Sequence, residues 1–73
     1  MIQELDAVVL TQDVPEKWLK AGDRGAVVHC YSDGQAFEVE FVNAEGRTIA
    51  ILTLTHSDIQ IETPQSNKKA AYG

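Results

Sequence analysis

The 73-residue sequence predicts an all-β fold, a small five-stranded barrel with one long loop after the first strand. Three observations point there. Apolar residues recur with a period of two or in short β-branched runs, as in "AFEVEFV" and "TIAILTL". Glycine-bearing connections separate these runs, at "AGDRG", "SDGQ" and "NAEGR". No segment has enough helical period to cover a sheet, and an open sheet would leave one apolar face and two edges unprotected, so closure is expected.

Taken in order, "DAVVLTQ" is a short valine-rich run suited to a buried first strand. In "VPEKWLKAG", Pro15 fixes a turn or opens a single helical turn, and Trp18 and Leu19 are the only large apolar groups, so this loop is expected to fold back over the core. Gly22 and Gly25 flank Asp23 and Arg24 as a tight turn into the second strand, "AVVHCY". The Asp-Gly pair of "SDGQ" predicts a two-residue turn joining strands two and three as an antiparallel hairpin. Strand three places Phe37, Val39 and Phe41 inward and Glu38 and Glu40 outward. "TIAILTL" carries apolar residues on both faces, which suits a central strand or one bending across a barrel corner. "IQIE" is strand five, so residues 1–63 form the barrel domain and residues 64–73 a flexible tail.

The formal charge is −5, and residues 1–64 carry four basic side chains (Lys17, Lys20, Arg24, Arg47) against all eleven acidic ones. Such a surface repels phosphate backbones, which disfavours nucleic acid as a partner, and steers toward basic protein surfaces. One cysteine, Cys30, cannot form an internal disulfide. That usage, with no basic leader and no run of roughly 18–20 apolar residues, predicts a cytoplasmic protein that does not span a membrane.

No catalytic constellation stands out. Gly22, Asp23 and Gly25 lack the lysine and following helix of a phosphate loop and are read as architecture. His29, Cys30 and His56 are the potential soft ligands, but neighbours in a regular strand point to opposite faces, so no metal site and no cofactor is expected. The acidic residues of strand three are read as a solvated face. Trp18 in the long loop and Tyr31 at the end of strand two, with Asp33 in the adjoining turn, are the candidate binding residues. Tryptophan and tyrosine offer large rigid area with one polar atom, and the alternative for both is a place in the core.

"LKAGDRGAVV" resembles the opening of SH3-like barrels that include the KOW-type modules. More closely, residues 4–62 are similar to a family of short bacterial proteins of unknown function. The shared pattern runs through Leu5 to Leu10, Leu19 to Val28, Tyr31 to Phe41, Gly46 to Ala50, and Thr53 with Leu54. The resemblance implies a five-stranded SH3-like barrel and carries over no functional residues. The expected role is a small non-catalytic interaction module that binds a protein partner, as an accessory, antitoxin-like or immunity-like subunit would. The alternative is a KOW-like nucleic-acid or ribosome-associated module using Lys17, Lys20, Arg24 and Arg47. Pairing of two copies through a strand edge is a further expectation left open.

Overall fold

The computed structural model describes residues 2–62; the tail expected at residues 64–73 lies outside the described residues. Five strands form one antiparallel sheet: β1 (Ala7–Leu10), β2 (Arg24–Cys30), β3 (Ala36–Val42), β4 (Thr48–Thr55) and β5 (Ile59–Ile61). Among the described residues the one helical element is a 3₁₀ turn at Pro15–Lys17. It opens on the proline, whose fixed φ suits a first helical position.

The strand order is β4-β3-β2-β1-β5, so the two strands at the ends of the sheet are consecutive in the chain. Only residues 56–58 join them. Four backbone steps reach at most about 14 Å, whereas the outer strands of a flat five-stranded sheet lie roughly 19 Å apart. The sheet must therefore curl until its ends approach, which makes the fold barrel-like.

Hydrogen bonds hold that closure. The Asp58 carboxylate accepts from the Thr55 amide at 2.9 Å, the Thr55 hydroxyl at 3.1 Å and the Gln12 side-chain amide at 2.8 Å. The Thr11 amide donates to the Asp58 carbonyl at 2.8 Å, tying the turn to the end of β1. From the same turn His56 reaches the β2–β3 connection, with Nε2 2.9 Å from the Gly34 carbonyl oxygen and its ring edge-on to Phe37 at 5.0 Å.

The interior is apolar, consisting of Val8, Leu10, Leu19, Val27, Phe37, Val39, Phe41, Leu54 and Ile59. Phe37, Val39 and Phe41 point inward as their alternation requires. Gly25 differs from the turn residue expected. It lies within β2, paired with Phe41, and a Cβ built there would meet the Phe41 ring at 2.8 Å and Val39 Cγ1 at 2.9 Å. Glycine is present because a phenyl ring occupies the space of its missing side chain.

One other connection and one strand depart from expectation. The β2–β3 hairpin closes where the Tyr31 amide donates to the Ala36 carbonyl, leaving residues 32–35 as a four-residue loop instead of a two-residue turn. The Gly34 amide donates to the Tyr31 carbonyl at 2.9 Å and Gly34 takes φ +72°, so the glycine accepts positive φ at the end of the turn. β4 is an end strand and not a central one; Ile49 and Ile51 are 46% and 55% exposed.

Two substitutions test this packing. Gly25→Ala forces Phe41 and Val39 to move inside a filled core and should cost about 1–3 kcal/mol in urea denaturation. Asp58→Ala leaves the Thr55 amide without its acceptor and should cost about 1–2 kcal/mol. An unchanged midpoint for Gly25→Ala would mean that β2 and β3 are not packed as described.

Candidate interaction surface

The loop after β1 is built around a closed pair. The Val14 amide donates to the Leu19 carbonyl at 2.9 Å and the Leu19 amide to the Val14 carbonyl at 3.2 Å. With the ends pinned, the two large apolar groups separate: Leu19 enters the core at 4% exposure and Trp18 is left 91% exposed. Trp18 adopts left-handed φ +59°. That conformation costs a non-glycine residue of order 1 kcal/mol and persists only where its surroundings over-determine it. Beside Trp18 lies an open hollow of about 260 Å³ lined by Asp13, Pro15, Leu19 and Lys20.

The outer face of the sheet is the second feature. β2 pairs Val27 with Val39 but His29 with Glu38, so Val28 is an inserted residue, and both it and His29 are exposed. Across β2, β3 and β4 the face presents Val28, Tyr31, Val42, Ile49 and Ile51, each 40–55% exposed, around Glu38 and Glu40. The Tyr31 hydroxyl donates to the Glu38 carboxylate, and the Thr53 hydroxyl donates to the same oxygen at 2.9 Å. The Thr48 hydroxyl donates to Glu40 at 2.6 Å. The His29 ring meets Tyr31 edge-on at 4.9 Å.

These bonds shift both titrations. The Tyr31 hydroxyl bond, then that of Thr53, holds the Glu38 carboxyl below its ordinary 4.5. The bond to Glu38 holds the Tyr31 phenol above its ordinary 10.0. Hydrogen bonding to the charged carboxylate favours ionisation, and the same bond opposes loss of the phenolic proton.

The residues singled out from the sequence do not converge on one groove. Trp18 lies in the loop before β2, whereas Tyr31 follows the far end of that strand. They line separate hollows. Neither belongs to the core. Asp33 is exposed in the hairpin loop, where its carboxylate accepts from the Gln35 amide at 2.9 Å; what the structure displays is a turn-forming role.

Tyr31, Cys30 and His56 line a hollow of about 430 Å³ with Ile2 and Phe37. Cys30 is half-buried, its sulfur 3.9 Å from the Ile2 carbonyl, whereas His29 points outward with Nδ1 3.7 Å from Glu4. No group of three or more potential metal ligands gathers among the described residues. Of the four basic residues within 1–64, Arg24 is paired with Glu62 at 3.0 Å. Sequence reasoning missed Val28, Ile49 and Ile51 as surface groups; the apolar residues on both faces of "TIAILTL" were the available signal. No helix among the described residues is long and apolar enough to cross a membrane.

The Tyr31–Glu38 bond predicts a stability profile with two limbs. Because the folded carboxyl titrates below 4.5, its contribution is present above that pH and is lost as pH falls through the lowered value. Because the folded phenol titrates above 10.0, its contribution is present below that pH and is lost as pH rises through the raised value. Glu38→Ala, which removes the acceptor, should flatten both limbs in urea melts across the pH range and return the Tyr31 ring, followed by NMR, to an ordinary titration. Identical profiles for the two proteins would show that the bond is not formed.

No curated protein and no solved structure matches this chain. A family model does, that of the domain of unknown function DUF4926, over residues 4–61, nearly all of the described fold. The five-stranded antiparallel domain with its displayed Trp18 and its apolar, acidic outer face therefore belongs to the DUF4926 family.

Proposed function

We propose that this domain is a small non-catalytic protein-interaction module, an SH3-like barrel of a bacterial cytoplasmic protein that serves as an accessory, antitoxin-like or immunity-like subunit. The observation that carries the reading is Trp18, 91% exposed and held at positive φ by the closed Val14–Leu19 pair. A tryptophan in water forgoes a large burial energy, and a strained backbone adds to that cost, so the position makes sense as an anchor completed by a partner. The acidic surface selects for partners with basic patches. A nucleic-acid role is the weaker reading, since Arg24 is already engaged by Glu62.

A photo-crosslinking residue at position 18, expressed in the native host, should yield one dominant protein adduct, absent when the crosslinker replaces exposed Gln60. Trp18→Asn should abolish capture of that partner by an affinity-tagged domain. Asparagine tolerates left-handed backbone, so the variant's denaturation midpoint should stay the same or rise. Adducts with nucleic acid, or none at all, would overturn the reading.

A further inference from the structure

The free edge of β4 is built to accept another strand. The Tyr31 amide bonds the Ala36 carbonyl, so alternate residues of β3 from Ala36 turn their backbone groups to β2, and those between turn to β4. In the observed register Phe37, Val39 and Phe41 lie opposite Leu54, Leu52 and Ala50, so this phase gives those pairs the ladder bonds. Ile51, Thr53 and Thr55 then point their amides and carbonyls away from the sheet. The Thr55 amide confirms the phase, since it bonds Asp58 and not β3. Ile51 and Thr53 are left with outward backbone groups.

Edges of this kind are normally blunted by lysine, proline or short length. β4 has eight residues, "TIAILTLT", with no charge and no proline. Its outer side chains include Ile51, 55% exposed, and the bulged Ile49, 46% exposed.

Charge selects the occupant. The Glu38 carboxylate accepts from the Thr53 hydroxyl at 2.9 Å as well as from Tyr31, and the Glu40 carboxylate accepts from Thr48 at 2.6 Å, so both lie within hydrogen-bond reach of β4. An added strand would run about 4.8 Å beyond β4, within reach of lysine or arginine side chains. Neither carboxylate has a Lys or Arg partner among the described residues. We infer that the β4 edge binds an extended segment of a partner protein in which basic residues on the outer face alternate with apolar residues on the inner face. The inference rests on the reading of the domain as a protein-interaction module and assigns a second contact, separate from Trp18. Backbone pairing supplies affinity, the carboxylates supply selectivity, and Asp58 at Thr55 ends the site.

The test uses the full chain, isotope-labelled, with a capped eight-residue peptide alternating lysine and valine, and a glutamate–valine peptide as control. The lysine peptide should slow hydrogen exchange at the Ile51 and Thr53 amides at least tenfold and bind more weakly as salt rises; the glutamate peptide should do neither. Thr53→Pro removes an outward amide without breaking the β3–β4 ladder and should abolish the protection. Glu38→Lys/Glu40→Lys leaves the edge intact and should reverse the preference between the peptides. Unprotected Ile51 and Thr53 amides at millimolar lysine peptide would overturn the inference. Concentration-dependent protection without peptide would also overturn it, since a second copy would then hold the edge. If crosslinks from position 18 persist while the edge stays unprotected, the module reading stands and this assignment falls. Protected amides with no crosslink at position 18 would remove Trp18 as an anchor and leave the edge assignment standing.

Discussion

The fold depends on a length constraint. β4 and β5 are the two ends of the sheet, yet only residues 56–58 separate them in the chain. Such a connection is compatible with five strands only if the sheet curls, and the curl turns the inward faces of all five toward one another. Asp58 stabilises the connection from within, and Thr11 and Gln12 hold it against β1. His56, carried by the same residues, closes over Phe37 at the hairpin end.

Once the sheet is curled, its interior has to be filled by a short chain. Phe37, Phe41 and the valines around them do so without admitting a polar side chain among the described residues. Space is tight enough that β2 gives up a side chain at Gly25 to admit the Phe41 ring. A filled interior moves chemistry to the outside. Trp18, the Glu38 and Glu40 carboxylates and the β4 edge are all surface features, and each presents a group whose interaction potential the domain uses only in part.

Much of this was legible in the sequence. The period-two pattern of "AFEVEFV" identified Phe37, Val39 and Phe41 as core and Glu38 and Glu40 as surface, because a strand has only two faces and water selects between them. Glycine-bearing connections marked the hairpins. The position of β4 in the sheet was not legible: apolar residues on both faces fit a central strand and an apolar edge equally, and strand order depends on pairing between distant segments. The bulge that turns His29 outward beside Val28 was hidden too, since it arises from a register shift between strands.

Composition and local pattern by themselves determined that this chain is all-β, acidic on its surface and built around a phenylalanine–valine core, because these follow from short-range sterics and from the cost of wetting apolar side chains. Only the tertiary structure decided that Leu19 is buried and Trp18 displayed, that Gly25 serves a ring and not a turn, and that Tyr31 lies far from Trp18 but bonded to Glu38. Each of those outcomes depends on which residues meet across strands, a geometric fact set by the curl of the whole sheet.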